Sequence, residues 1–332
     1  MTMPAPADRL ILRRIIMVFL VVAAYGLMVY AIIWAVPDSD REMALISGAF
    51  LLAMGIGSLS TVVADPRAER SLSRNLGIAL WSLLALCLLL LLPGIEGIVC
   101  ILMALPIMLP GIMLGVVVAW FSTRWWQNRG TTLTVIALPL LIFPLEAQVS
   151  WPDYQGHVST EIAIAAPPET VWANTVEIRD IDPDKLRFTI SHDLMFFPRP
   201  LDARLDHHGP GATRALKWTS GVHFRELITD WQPNRRLGWT FAFDADSIPA
   251  EIDRRLRPDG EASELLRGEY VLEPDGKGGT ILRLTTHYKV SLPWNGYGRL
   301  WADRLLSDFH VSVLDVIKTR SEGGSMAVAR AY

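Results

Sequence analysis

Cysteine is nearly missing from this chain. Its 332 residues hold two, Cys87 and Cys100, both inside apolar runs, and none follows Cys100. That excludes a disulfide framework and a cysteine-built zinc site, and leaves the second half compatible with either redox compartment. An excess of one charge is missing too: 31 Lys and Arg stand against 34 Asp and Glu, for a net charge of -3. A strongly basic surface for nucleic acid is therefore not expected. Nucleophile and zinc-protease motifs are absent, with no G-x-S-x-G and no H-E-x-x-H. The glycines around Lys277 belong to a hairpin turn rather than a phosphate loop, so no cofactor is expected.

What the first half has instead is hydrophobic length. Residues 1–150 read as a transmembrane helical region with about five spans, at 15–36, 43–64, 76–92, 98–121 and 131–149. A span needs roughly 20 apolar residues for a hydrocarbon layer of about 30 Å. The first is too long and too poorly terminated for a cleaved signal peptide. In the second, Gly55 and Gly57 allow close helix contact. The fifth is interrupted by Pro139, Pro144 and Glu146. Arg9, Arg13 and Arg14 precede the first span, Arg67, Arg70 and Arg74 separate the second from the third, and Arg124 and Arg129 follow the fourth. Positive charge marks the cytoplasmic side, so the amino terminus is expected there. If the fifth span crosses, residues after 150 lie outside the cytoplasm, in a bacterium the periplasm or cell exterior; if it only lies along the interface, they stay cytoplasmic. The spans hold almost no ionisable residue, and ion or proton paths usually need one. An anchor in the lipid bilayer is the expectation.

The second half opens on His157–Val176. Val158, Thr160, Ile162 and Ile164 alternate with Ser159, Glu161 and Ala163, as in a half-buried strand. Pro167 and Pro168 end it, since proline donates nothing to a ladder yet suits the first turn of a helix. Glu169 then meets the positive end of that helix, whose apolar face carries Val171, Trp172 and Val176. Residues 177–210 read as a long irregular segment, with Phe196–Pro200 and Gly209–Gly211 as a loop over one end of a cavity. Asp180, Asp182 and Asp184 alternate there, but Lys185 and Ser191 occupy the places where a calcium loop needs glycine and a bidentate acid. Asp206-His207-His208 lacks a third metal ligand by spacing, and no metal is expected.

Strands follow, each with one apolar face. They place together Arg214, Leu216 and Trp218; Phe224, Glu226 and Ile228; Leu237, Trp239, Phe241 and Phe243; Leu266, Gly268, Tyr270 and Leu272; and Leu282, Leu284, Thr286 and Tyr288. The connection 244–264 is long for a hairpin, and a short helix at 249–256 within it is read as a lid. A helix over about 298–320 carries Trp301, Ala302, Leu305, Leu306, Phe309, Val313, Val316 and Ile317 on one stripe.

This order of elements, the Pro167-Pro168 opening with Val171-Trp172, the G-x-x-R of Gly211–Arg214, the F-x-E of Phe224–Glu226 and the terminal helix resemble the START-like, or SRPBCC, superfamily. That superfamily includes polyketide cyclase/dehydrase-like proteins. The resemblance covers about 157–322. It implies an α+β helix-grip domain at 151–325, a curved antiparallel sheet around a long carboxy-terminal helix, with 326–332 as a tail. It also implies a cavity between sheet and helix. Positions facing it would be Trp218, Phe224, Trp239, Phe241, Tyr270, Tyr288, Trp301, Leu305 and Phe309, with Arg214 and Glu226 as the polar candidates. As a buried pair, these two charges are either a structural salt bridge or a binding or proton-transfer group. His287 shares the outer face with Arg283 and Lys289.

Three functions follow as alternatives. The first is a membrane-tethered domain that binds a hydrophobic small molecule or lipid. The second is a cyclase/dehydrase-like enzyme working through Glu226 and Arg214. The third is a scaffold for a protein partner that the sequence does not identify.

Overall fold

Leucine, isoleucine and valine with almost no charge among them give helices that are apolar all round, and such helices must be covered by lipid or by one another. The structure, a computed structural model, describes residues 6–35, 46–126, 135–138, 142, 145, 149–249, 258–260 and 262–329. The chain divides into two units, Met1–Trp151 and Pro152–Tyr332. The first contains α1 (Pro6–Ala35), α2 (Ile46–Ala64), α3 (Leu72–Leu91) and α4 (Ile98–Phe121). Among the described residues, three helical windows are long and apolar enough to cross a membrane: Leu12–Val29, Leu72–Leu91 and Ile98–Trp125. A shorter apolar stretch, Gly48–Ala64, lies in α2. These lengths and compositions point to membrane association. The fifth candidate span, at 131–149, falls mostly outside the described residues, as does the lid at 249–256.

Glycine sets the helix contacts. A Cβ on Gly55 would collide with the Tyr25 hydroxyl of α1. On Gly57 it would strike the Ile112 carbonyl of α4, and on Gly115 the Met54 carbonyl of α2. The α2–α4 contact is therefore backbone against backbone, reinforced by Ser58 Oγ donating to the Gly115 carbonyl at 2.9 Å. The arginine-rich turn after α2 is held by the buried Asp65 carboxylate. It accepts from the Glu69 and Arg70 amides at 2.9 and 2.8 Å and from Asn75 Nδ2 at 3.1 Å.

The second unit begins with β1 (Tyr154–Ile164) and α5 (Pro168–Val176), and Pro168 occupies the first turn of that helix. Then come β2 (Pro200–Leu205), β3 (Thr213–Trp218), β4 (His223–Gln232), β5 (Arg236–Ala242), β6 (Ser263–Pro274), β7 (Thr280–Val290) and α6 (Asn295–Ala329). The seven strands form one antiparallel sheet in the order β1-β7-β6-β5-β4-β3-β2. Leu314 and Ile317 of α6 share a buried core with Val171 and Val176 of α5 and with Ile228, Leu237 and Leu282 of the sheet. A full antiparallel sheet with a long terminal helix against its inner face is the helix-grip architecture.

Three expectations need correction. Residues 177–210 are not wholly irregular: β2 lies there as an edge strand, and Pro200 opens it where a missing donor costs little. Leu266 does not hold the inner position. A bulge between Leu265 and Arg267 puts Leu265 opposite Tyr288, so the alternation before Gly268 is displaced by one residue. The terminal helix runs over Asn295–Ala329 rather than about 298–320. A second bulge, between Ile228 and Asp230, turns Trp231 inward, where it meets Trp172 of α5 edge-on at 5.3 Å.

Candidate functional site

Arg214 and Glu226 are direct partners across β3 and β4, so strand alternation puts both charges on the inner face. Both are buried. Arg214 Nε and Nη2 each reach Glu226 Oε2 at 2.5 Å. Its Nη1 donates to the carbonyls of Thr175 at 2.9 Å and Val176 at 3.4 Å, the last carbonyls of α5. The guanidinium also lies over the Trp239 ring, 4.8 Å from its centroid, and 5.8 Å from that of Tyr270. Burial pushes the Glu226 carboxyl above its ordinary range, and the facing guanidinium opposes that. All three guanidinium nitrogens are engaged, and what they hold together is α5, β3 and β4.

Six of the nine expected apolar positions form one run of touching rings. Tyr270 and Trp239 meet at 5.1 Å, Trp239 and Phe241 at 6.3 Å, Phe241 and Phe224 at 6.4 Å, and Phe224 and Trp218 at 6.1 Å. Trp218 then meets Phe309 of α6 edge-on at 5.2 Å. Trp239 and Tyr270 are buried, whereas Phe241, Phe224, Trp218 and Phe309 are only partly so. The run thus leads from the core to a partly open aromatic end. Trp239 fits because Gly268 lies beneath it: a Cβ there would collide with the indole.

The other three positions lie apart from this run. Tyr288 packs with Val158 and Leu306, and its hydroxyl donates to Asp303 at 2.5 Å. Trp301 faces Tyr297 edge-on at 6.2 Å. Leu305 is buried on α6. His287 lies on the outer face opposite His157, with ring centroids 5.5 Å apart.

Polar residues absent from the sequence reading complete the inner surface. His192 is buried and stacks on Phe309 at 5.3 Å, with Trp218 6.2 Å away. Its Nδ1 lies 3.2 Å from the Phe197 carbonyl, which can only accept, so Nδ1 carries the proton and Nε2 is an acceptor. Burial holds this imidazole below its usual value and therefore neutral at pH 7. Among the described residues Nε2 has no partner, and neither has the buried indole N–H of Trp218 or of Trp239. Asp308 of α6 accepts from Ser191 N at 2.9 Å and Ser191 Oγ at 2.7 Å, and pairs with Arg304 at 3.1 Å. His310 spans from Thr160 of β1, 3.1 Å from Nδ1, to Thr286 of β7, 2.8 Å from Nε2. Helical spacing carried the signal for His310: it lies four residues after Leu306 and four before Leu314, both buried. For His192 no sequence pattern was available.

The acidic and histidine clusters have local roles. Asp182 accepts from the Asp184 amide at 3.1 Å, and Asp206 closes a turn by accepting from His207 and Thr213 at 2.7 and 2.8 Å.

No family model matches the chain, and no curated protein matches it. Solved structures similar to it include truncated norcoclaurine synthase from Thalictrum flavum, at 13% identity over 52% of this chain and 94% of that one, with a TM-score of 0.33. A protein from Thermus thermophilus matches at 19% identity over 51% and 99%, with a TM-score of 0.32. Ara h 8.0201 matches at 13% identity over 49% and 99%, with a TM-score of 0.30. The architecture described above rests on strand order and the terminal helix of this chain alone.

Proposed function

We propose that the Pro152–Tyr332 unit binds an apolar small molecule or lipid between the inner face of the sheet and α6, with a hydroxyl at its polar end. One observation carries this reading: an aromatic run open at one end, with the Trp218 and Trp239 N–H groups and His192 Nε2 left without partners among the described residues. A buried polar group without a hydrogen bond costs about 1–3 kcal/mol, and such groups call for an explanation. A guest hydroxyl accepting from the Trp218 N–H and donating to His192 Nε2 supplies two of these three bonds, while the rings cover its apolar part. The pair offers one donor and one acceptor, which is what a hydroxyl complements.

The membrane-associated helices suit such a ligand, since molecules of this kind partition into lipid. From the arginine distribution, and with the segment at 131–149 taken as a fifth crossing, we further propose that the unit lies outside the cytoplasm of a bacterial cell, tethered to its inner membrane. A carboxy-terminal reporter active only outside the cytoplasm checks that placement.

Binding is tested on the full chain in nanodiscs with a long-chain alcohol bearing a diazirine at its chain end. Labelling is expected in peptides covering Trp218–Phe243 and in α6 near Phe309, competed by unlabelled alcohol. It should weaken at least tenfold, about 1.4 kcal/mol, when Trp218→Phe and His192→Phe are combined. Labelling confined to the first unit, or labelling untouched by that double substitution, would defeat the reading.

A further inference from the structure

Between α5 and β2, where Ile178, Ile181, Met195 and Phe197 are buried, four other large apolar side chains face outward. Phe188, Ile190, Leu194 and Phe196 are 63%, 41%, 57% and 65% exposed, while Thr189, Ser191 and His192 between them are 5%, 0% and 4% exposed. Large apolar side chains clustered on one loop mark an interaction site, because single scattered ones are ordinary and a contiguous group is not.

The arrangement is held in place from beneath. Ser191 is fixed to Asp308 through both its amide and its hydroxyl. The Thr189 amide donates to Asp193 Oδ2 at 2.8 Å, and Arg199 pairs with Asp193 Oδ1 at 2.5 Å. The Met195 amide returns to the Ile190 carbonyl and the Phe197 amide to the Ser191 carbonyl, both at 3.0 Å. Phe196 is kept at φ +60°, a left-handed conformation that bulky residues rarely adopt. Polar bonds thus point inward and the apolar tips outward, so collapse of those tips onto the unit is blocked.

We propose that this loop enters the lipid bilayer, with Phe188, Ile190, Leu194 and Phe196 below the headgroups. Two observations favour lipid as the occupant. The same chain carries three helical windows long and apolar enough to cross a membrane, so a bilayer holding them is presented to the loop at high local concentration. At the loop's edge Arg187 is exposed and has no ion pair among the described residues, which suits an anionic headgroup phosphate. An apolar tip beside a cation is the pattern of interfacial membrane segments. The proposal is independent of whether a guest binds between sheet and α6.

The test uses the full chain in vesicles of phosphatidylcholine and phosphatidylglycerol at 3:1. In a Cys87→Ala, Cys100→Ala background, nitroxides are attached at Phe188→Cys, Leu194→Cys and, as a control in the β6–β7 turn, Lys277→Cys. Collisions with oxygen against a water-soluble nickel chelate then report depth. Positions 188 and 194 should favour oxygen at least tenfold more than position 277. Equal ratios at all three positions overturn the proposal. A second measurement needs no substitution: the unaltered chain is irradiated in the same vesicles doped with a phosphatidylcholine carrying an acyl-chain diazirine. Lipid adducts are expected on residues 186–197 as well as on the helices of the first unit. Adducts on those helices alone overturn it as well.

Discussion

Acidification should weaken the second unit through His310, by an amount the geometry allows to be worked out. This imidazole is buried between Thr160 and Thr286, and burial alone lowers its pKa from about 6.5 to about 4. In the unfolded chain the ring takes up a proton near 6.5, whereas in the folded chain it does so only near 4. Between these values the unfolded state binds more protons, so stability rises with pH. The contribution is fully present above 6.5, shrinks as pH falls through that value, and is gone by about 4. At roughly 1.36 kcal/mol per pH unit the whole effect is about 3 kcal/mol. Two readouts on the full chain check it. Deuterium exchange at the imidazole C2 position, followed by mass spectrometry, gives the His310 midpoint directly. Urea-dependent amide exchange in β1, β7 and α6 gives stability at pH 7 and pH 4. His310→Gln keeps an amide between the two threonines and removes the titration. Its loss on acidification should be about 3 kcal/mol smaller than that of the unaltered chain. His192 is depressed in the same direction but is common to both chains and cancels in the difference. A His310 midpoint near 6.5, or parallel losses in the two chains, would refute the reasoning.

Two further outcomes are expected. Arg214→Met leaves Glu226 buried without its partner and uncaps the Thr175 and Val176 carbonyls, at a cost of about 3–5 kcal/mol; adding Glu226→Leu should recover much of it in a double-mutant cycle of urea midpoints, and a fully additive cycle would count against the pairing. Gly268→Ala drives a methyl into the Trp239 ring and should cost about 1–3 kcal/mol, with part regained by Trp239→Leu; a neutral Gly268→Ala would contradict that contact.

Much of the sheet is legible by counting in twos. Alternation placed Arg214 and Glu226 on the inner face with Trp218, Phe224 and Trp239, and the structure sets those two charges opposite one another. Counting fails where the chain inserts a residue: the bulge beside Leu266 exchanges it for Leu265, and the one after Ile228 brings Trp231 inward. β2 escaped notice because it is short, begins with proline and pairs on one side alone. The polar layer beneath α6 was hidden for another reason. Ser191, His192, Asp308 and His310 are residue types that usually face water, and what buries them is partners supplied from elsewhere in the chain, up to 150 residues away for His310 and Thr160. No local pattern records such partners. The aromatic run was half visible: its members were named, but their contiguity depends on strand register and on Phe309 reaching across from the helix.

Clasped to β1 and β7 through His310, and two residues earlier to the 189–197 loop through Asp308, α6 has a fixed midpoint. A rod pinned there can tilt about its pivot but cannot slide lengthwise or roll without giving up both clasps. Room for a bulkier guest would then come from lifting one end, and the clasps would set which end yields.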